Sequence, residues 1–172
     1  MTAKNAHEQM QEVEVVIHID APPEAVWAYM ADLPFLRTLP FTTMEVVGKP
    51  AGVGTVYRWV FNLLLGLTFR FDEVVTEWVP HERIAYRAIS GWEMEAGPVL
   101  TPENGGTRFH FTLRYRLPGL WRLTPRWLMK WGCRQGLANL RKMIEAEPKG
   151  TAPAPHSAAF LPQTGGRRWT TS

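Results

Sequence analysis

Side chains that could carry acid–base, nucleophilic or metal chemistry are few in this 172-residue sequence, and they follow no pattern typical of a catalytic site. Glu73 and Glu77 share one phase of a strand-like run, but a β-bulge would turn them outward, and we expect both carboxylates to be solvated. Cys133 falls among apolar residues with no base near it in sequence, which favours an inert buried thiol. The histidines lack the spacing of metal ligands and are His7, His18, His81, His110 and His156. There is no phosphate loop, nucleotide fingerprint or zinc motif, so the sequence predicts neither a metal site nor a cofactor.

Tryptophan and positive charge alternate in the segment "GLWRLTPRWLMKWGCRQ", residues 119–135, which has no carboxylate. It lies within a basic region, residues 104–144, that has nine Lys/Arg and no Asp/Glu, whereas residues 1–103 have 7 basic and 14 acidic residues. This separation of charge favours an anionic partner. Tryptophan prefers the membrane interface, and long basic side chains reach toward anionic headgroups. We therefore predict that membrane or headgroup contact is made by Arg122, Arg126, Trp127, Lys130 and Trp131.

Two other interpretations of the basic region remain open at the sequence level. Its cations would also suit RNA or a ribosome, with Arg108, Arg114 and Arg116 extending the basic surface along the last strand. Alternatively, the same cations pair with the acidic residues of 1–103 within the protein. Strong salt sensitivity of RNA binding would favour the first of these, and extraction of a hydrophobic ligand would favour a carrier.

The hydrophobic pattern predicts an α+β domain with the element order β-α-α-β6-α. The run "VEVVIHID" alternates like a half-buried strand, and "APPEAVWAYMADL" follows it as a short helix. Pro34 and Pro40 bracket a second short turn or helix, and six strand-like runs then follow, each closed by a turn signal. A long helix runs from about Thr124 to Glu147 with an apolar stripe on one side. This order predicts an antiparallel meander whose inner face the long helix covers.

The sequence predicts one globular domain over residues 12–147, with a flexible leader at 1–11 and a disordered tail at 148–172 that is rich in Pro, Ala, Gly, Ser and Thr. No uninterrupted apolar run reaches the length of a membrane span, and the N-terminus does not resemble a signal peptide. The single cysteine suits a reducing compartment. We therefore expect a cytoplasmic protein, with any membrane contact being peripheral.

The turns of the predicted meander fall into two chemically different sets. Because consecutive strands reverse direction, alternate turns lie at the same end of the sheet. One end receives the polar turns "KPAGVG", "VPHER" and "TPENGG", and the other receives "FNLLLGL", "SGW" and "LPGLWRL". We call these the polar end and the apolar end. The apolar end also receives the start of the long helix, so the sequence predicts a cavity mouth or a membrane-facing patch there.

The ordered set of segments "IHIDAPPEAVWAYMADL", "EVVGKPAGVGTVY", "DEVVTEWVPHERIAYR", "PENGGTRFHFTLRY" and "GLANLRKMIEAE" resembles the SRPBCC superfamily, which includes START, polyketide cyclase and birch-pollen-allergen-like proteins. It is most similar to the polyketide cyclase/dehydrase and coenzyme Q-binding group. The resemblance implies a helix-grip fold, in which a seven-stranded antiparallel sheet wraps around the C-terminal helix with an apolar cavity between them. It does not identify a reaction, because this fold hosts carriers, cyclases and other functions.

Alternation along the strands and the helix stripe then predict the residues that face the cavity. They are Tyr57, Trp59, Phe69, Phe71, Tyr86, Met94, Phe109, Phe111, Tyr115, Cys133 and Leu137. The plainer interpretation is that these side chains simply fill a core. So many aromatic residues around one helix leave irregular space, however, which suits a bulky apolar ligand.

The function predicted from these residues is the binding of a hydrophobic small molecule or lipid such as a quinone or a polyketide-like compound, with transport as an open extension of that binding. An alternative is a polyketide cyclase or aromatase that shapes a reactive chain, with Tyr57 or Tyr86 as proton donor. A second alternative is RNA- or ribosome-associated binding through residues 104–144. The sequence leaves open whether the protein turns over a substrate.

Overall fold

The computed structural model describes residues 10–32, 42–48, 51–62 and 66–146. The strands are β1 (Gln11–Ile19), β2 (Thr42–Val47), β3 (Val56–Asn62), β4 (Thr68–Val79), β5 (Arg83–Ala88), β6 (Glu93–Glu103) and β7 (Gly106–Arg116). Helix α1 (Pro23–Asp32) follows β1, a short 3₁₀ helix (Gly119–Leu123) follows β7, and helix α2 (Arg126–Ala146) ends the described chain. The short helix predicted between Pro34 and Pro40 lies outside the described residues, as do residues 1–9 of the predicted leader and the predicted tail.

All seven strands form one antiparallel sheet in the order β1-β7-β6-β5-β4-β3-β2. Six of the strands are a simple meander, and β1 joins the sheet by pairing with β7, with Val15 opposite Phe111. Helix α2 packs against the inner face and contacts β1. The predicted α+β helix-grip architecture is confirmed.

The hydrophobic core lies between the sheet and α2, and its residues follow the two expected periods. On β7 every second side chain is buried, including Phe109, Phe111 and Tyr115. On α2 the buried residues recur at spacings of three and four, which places them on one face of the helix; they are Cys133, Gly136, Leu137, Leu140 and Ile144. The buried face of the sheet and the buried face of α2 therefore pack against each other and form one core.

The boundaries of the elements differ from the predicted ones by one or two residues. β1 begins at Gln11, inside the segment predicted as leader. Helix α2 begins at Arg126 rather than Thr124, because the connection first forms the 3₁₀ helix. Pro125 O then accepts the first α-helical bond, from the N–H of Met129. At the polar end, Asn104 and Gly105 have φ of 50° and 78°, the backbone that a two-residue hairpin turn requires.

Candidate ligand-binding cavity

An apolar cavity of about 370 Å³ lies between the inner face of the sheet and the first turns of α2, at the apolar end of the domain. Sheet residues on its wall come from β3 to β7, and the 3₁₀ helix and α2 close the other side. The lining residues are Phe61, Phe69, Phe71, Glu73, Tyr86, Trp92, Met94, Ala96, Phe111, Leu113, Leu117, Trp121, Thr124, Leu128, Met129, Trp131, Gly132 and Cys133. The wall is apolar except at a few points, which is typical of a site for a hydrophobic molecule.

The predicted cavity residues divide into two groups in the structure. Six of them line the cavity: Phe69, Phe71, Tyr86, Met94, Phe111 and Cys133. The other five are buried in the core beside it: Tyr57, Trp59, Phe109, Tyr115 and Leu137. Strand alternation identifies the inward face, but it does not show where sheet and helix stop touching. A ligand contact at any of these residues remains a prediction.

Aromatic side chains from the two apolar turns make up much of the wall that sequence reasoning left out. Trp92, from the β5–β6 turn, packs against Phe71 and Phe69 with ring centroids 5.1 and 5.7 Å apart. Trp121, from the 3₁₀ helix, meets Phe69 edge-on at 5.5 Å. Such edge-to-face contacts fix the relative positions of rings. The signal for these residues was present in the apolar character of the turns, although the strand pattern did not include them.

Glu73 contradicts the expectation of a solvated carboxylate. It is only 3 % exposed, and its side chain lies on the cavity wall. The indole Nε1 of Trp59 donates a hydrogen bond of 2.8 Å to its Oε1. Burial raises the pKa of Glu73 from 4.5 to about 7, while the bond from Trp59 works in the opposite direction. An ionisable group therefore sits inside an otherwise apolar cavity.

Glu77 behaves as the sequence predicted, and a bulge explains why the two glutamates differ. The register between β4 and β5 shifts between Val75 and Glu77. Beyond this shift the Glu77 carboxylate is partly exposed and forms an ion pair of 2.6 Å with Arg83. Glu73 precedes the bulge and so keeps the inward phase of Phe71.

The other titratable groups on the wall are held neutral. Burial raises the pKa of Tyr86 well above its ordinary value of 10.0, and the nearby Glu73 and Tyr57 act in the same direction. Burial also raises the pKa of the Cys133 thiol to about 11. Among the described lining residues, Glu73 is thus the group that can change its ionisation near neutral pH.

An exposed apolar and basic surface surrounds the part of the cavity wall that α2 provides. Its apolar members are Leu120, Leu123, Trp127 and Trp131, which are 85 %, 80 %, 69 % and 57 % exposed. The residues predicted to contact membrane all belong to it, since Arg122, Arg126 and Lys130 are exposed as well. Trp131 also lines the cavity, so this surface, which we call the mouth, adjoins the interior.

Ion pairs occupy part of the basic region 104–144. Arg114 pairs with Glu12 and Glu95, and Arg116 pairs with Glu93, across neighbouring strands of the outer face. Within the described ranges, Lys130 and Arg134 make no such pair. Two of the three arginines of β7 therefore meet the acidic part of the sequence, whereas Arg126 and Lys130 at the mouth are exposed.

A second depression, of about 410 Å³, lies on the outer face of β4 to β7. It is an open groove, and charged side chains on its walls form ion pairs with one another, such as Arg83–Glu77 and Arg114–Glu95. It offers no enclosed apolar volume, so the inner cavity is the better candidate site.

Comparison with known protein families identifies the chain. Residues 10–145 match the family described as polyketide cyclase / dehydrase and lipid transport, which spans the whole described domain. The chain belongs to this family. Membership supports the binding of hydrophobic ligands in general, and it agrees with the resemblance drawn from the sequence. No curated protein matches the chain.

Solved structures of family-like proteins share the fold over nearly their full length. The protein TTHA0849 from Thermus thermophilus is 32 % identical, covers 79 % of this chain and 98 % of its own, and has a TM-score of 0.68. CV1439 from Chromobacterium violaceum is 25 % identical over 79 % of this chain and 99 % of its own, with a TM-score of 0.63. Ara h 8.0201, at 14 % identity, covers 80 % of this chain and 99 % of its own with a TM-score of 0.63, and it shows the shared fold alone.

The described part of the polyketide cyclase / dehydrase and lipid transport domain contains neither a metal-ligand cluster nor a membrane-spanning helix. Within the described ranges no group of three or more His, Cys, Asp or Glu side chains is arranged to hold a metal ion. Neither described helix has an apolar stretch of the length that a bilayer crossing needs.

Proposed function

We propose that the protein binds a hydrophobic small molecule or lipid in the cavity beneath α2. The observation that supports this most directly is a cavity of about 370 Å³ with an almost wholly apolar wall. That volume lies in the range of roughly 300–1,000 Å³ that holds drug-sized ligands. Water in such a space finds few hydrogen-bond partners, so an apolar ligand that displaces it gains free energy.

The shape of the wall favours a ligand with a planar or ring-containing body. The rings of Phe69, Phe71 and Trp92 are held against each other and present both faces and edges to the cavity. Aromatic rings prefer offset or edge-on neighbours, which a quinone or a polyketide-like molecule would supply. The chemical class we propose is therefore an apolar, ring-bearing small molecule or lipid.

We infer that the ligand enters and leaves at the mouth, and that the mouth contacts an anionic membrane surface. Leu128 and Trp131 are exposed and also line the cavity, so the wall of the cavity reaches the surface at these residues. Exposed tryptophan beside Arg126 and Lys130 matches the apolar and charged layers of a lipid interface. On this proposal the protein is cytoplasmic and meets the membrane peripherally, where it takes up or delivers its ligand.

Gly132 allows a direct test because a side chain added there would point into open space on the cavity wall. The wild type is purified from its own cells, examined by native mass spectrometry and extracted with organic solvent. We expect a stoichiometric hydrophobic compound in the wild type and in Gly132→Ala, and loss of that compound in Gly132→Phe, whose ring fills the cavity.

Three outcomes of that experiment are informative. Equal ligand in Gly132→Phe and Gly132→Ala would place the compound elsewhere and contradict the proposal. A wild type that carries no apolar compound but carries RNA in a salt-dependent manner would support the nucleic-acid alternative instead. A wild type that carries neither would also contradict the proposal.

A second candidate function, cyclisation or dehydration of a polyketide-like molecule, is favoured by Glu73. Such reactions need a group that accepts and returns protons, and this carboxyl lies on the cavity wall with a pKa of about 7. The test is to incubate the extracted compound with fresh protein and follow its mass. Loss of one water, or a new isomer of the same mass with a different chromatographic retention, would establish turnover if Glu73→Gln abolished it. An unchanged mass and retention would leave the carrier function.

A further inference from the structure

The two oxygens of the Glu73 carboxyl have different surroundings. Oε1 accepts the hydrogen bond from Trp59 Nε1, which anchors the group to β3. Within the described part of the chain, no side-chain or backbone donor reaches Oε2. Because the residue lines the cavity, this second oxygen is the acceptor available to a molecule inside it.

Keeping a carboxyl in this position costs folding free energy, which a purely apolar site would avoid. Burial removes most of the water around the carboxyl, and the single hydrogen bond from Trp59 replaces only part of what is lost. Leucine or methionine would fill the same volume without this loss. A bound ligand that donates a hydrogen bond to Oε2 restores the missing interaction, so the carboxyl discriminates among ligands of similar shape.

The neighbouring groups indicate which donor fits. Tyr86 also lines the cavity and lies close enough to interact electrostatically with Glu73. Its phenol stays neutral and can donate a hydrogen bond. Near Glu73 the described wall therefore offers an acceptor and a donor. Trp92, whose buried Nε1–H has no partner among the described residues, adds a second donor on the wall, and no second carboxylate lines it. A hydroxyl group both donates and accepts, whereas an ammonium group only donates and a carbonyl only accepts.

We propose that Glu73 makes the cavity selective for apolar molecules that carry a hydroxyl group, with that hydroxyl donating a hydrogen bond to Glu73 Oε2. This inference rests on the proposed ligand-binding function and specifies its ligand class. The hydroxyl end lies against β3–β5, and the apolar remainder of the ligand extends between the aromatic wall and α2 toward the mouth.

A matched pair of probes isolates this interaction. The compounds 2-naphthol and 2-methoxynaphthalene have nearly the same ring body, but only the first can donate a hydrogen bond. Equilibrium dialysis at pH 8, where Glu73 is mostly ionised, gives the dissociation constant of each. A hydrogen bond to a charged acceptor is strong, so we expect the wild type to prefer 2-naphthol by roughly tenfold or more.

Two glutamine variants serve as test and control. In Glu73→Gln the amide oxygen still accepts from Trp59, while an NH₂ group replaces Oε2, so the preference for 2-naphthol should fall to roughly threefold or less. Affinity for 2-methoxynaphthalene should not fall, because the new NH₂ group can donate to its ether oxygen. Glu77→Gln changes a carboxylate on the same strand that points away from the cavity, and it should keep the wild-type preference.

A measurement on the wild type alone covers the case in which Glu73→Gln fails to fold. The preference for 2-naphthol should be small at pH 5.5 and rise toward pH 8 as Glu73 ionises. The other titratable groups facing Glu73 are Tyr57 on β3, Tyr86 on β5 and Cys133 on α2, and phenols and thiols of this kind ionise above that range.

The outcomes separate the inference from the function on which it rests. Binding of both probes with no preference, or a preference that survives Glu73→Gln or ignores pH, would overturn the role of Glu73 while leaving the cavity as a ligand site. Failure of both probes to bind the wild type would overturn the proposed function and the inference together.

Discussion

At the scale of the residue, Glu73 gives the folded protein a distinctive pH dependence. Its pKa is about 7 in the folded state and near the ordinary 4.5 when unfolded. Between these values the folded state binds more protons than the unfolded state. The contribution of Glu73 to stability is therefore full below about pH 4.5 and is lost as the pH rises through about 7.

We predict that Glu73→Gln flattens this dependence. The free energy of unfolding of the wild type should fall by about 2.5 kcal/mol more than that of the variant between pH 5 and pH 8, since one unit of pKa corresponds to about 1.4 kcal/mol. Urea denaturation at a series of pH values measures the difference. All other ionisable groups are common to the two proteins, so their contributions cancel in the comparison. Parallel curves would show that Glu73 is not perturbed.

Alternation along the strand predicts that Glu73 shares the inward face with Phe71, but the sequence does not predict where the bulge lies. A bulge before Glu73 would have placed both glutamates in solvent, and the structure places it after Val75. The position of a bulge depends on how a strand pairs with its neighbour. For β4 this neighbour is β5, whose twist and flanking turns are not visible in the sequence of β4. The indole donor on Trp59 lies on a different strand from Glu73 and becomes its partner only through the β3–β4 register.

At the scale of the element, α2 carries two glycines whose environments differ, and Gly132 is the one that faces open space. Alanine favours a helix interior over glycine by about 1 kcal/mol, and no neighbouring atom opposes the added methyl group. We predict that Gly132→Ala raises the free energy of unfolding by about 1 kcal/mol, measured by urea denaturation. A loss of stability would mean that the cavity wall is closed at this point.

The same substitution on the sheet provides a contrast. An alanine methyl group at Gly97 on β6 would overlap the backbone oxygen of Ile84 on β5, which cannot move without breaking the sheet. We expect Gly97→Ala to destabilise the protein by about 2 kcal/mol. If Gly132→Ala raises the free energy of unfolding and Gly97→Ala lowers it, the sheet is closely packed at Gly97 and open space remains beside Gly132 on α2.

Most elements could be predicted from the sequence because each has its own local signal. The alternation of β7 and the apolar stripe of α2 are both strong, and the structure has them almost as predicted. The start of α2 was placed two residues early because the 3₁₀ helix at Gly119–Leu123 has no buried residue to give it a period. The cavity itself has no signal in the sequence. Sequence patterns predict each helix and strand separately, whereas the cavity is the space that remains when these elements pack together.

At the scale of the whole molecule, the charge separation in the sequence becomes a separation between surfaces. Arg114 and Arg116 are paired with glutamates on the outer face of the sheet, whereas Arg126, Lys130 and Arg134 line one exposed side of α2. The mouth therefore combines positive charge with exposed apolar side chains. Binding to RNA would use only the positive charge, whereas binding to a membrane surface would use both the positive charge and the exposed apolar side chains.

We predict that the charged half of this surface sets the preference for anionic lipid. Each basic residue near an anionic bilayer contributes about 1 kcal/mol, so replacing Arg126 and Lys130 by glutamine should weaken binding to phosphatidylcholine vesicles containing phosphatidylglycerol by roughly 30-fold. Cosedimentation at several salt concentrations measures this loss, which should be largest at low salt. Replacing Arg108 and Lys142 by glutamine removes the same charge away from the mouth and should change binding far less. Equal losses in the two double variants would show that net charge alone is responsible.

The apolar half of the mouth should act on any lipid, because burial of indole rings does not depend on headgroup charge. Transfer of a large side chain from water is worth about 2 kcal/mol, so Trp127→Ala with Trp131→Ala should weaken association with pure phosphatidylcholine vesicles and with anionic vesicles by a similar factor, well over tenfold. The unfolding midpoint should hardly change, since both rings are largely exposed.

Val53→Ala is the control for this prediction. Val53 is 56 % exposed, nearly as much as Trp131, but it lies at the polar end of the sheet. Unchanged association in the double tryptophan variant would exclude the mouth as a membrane contact, while a loss in both variants would indicate nonspecific hydrophobic adsorption.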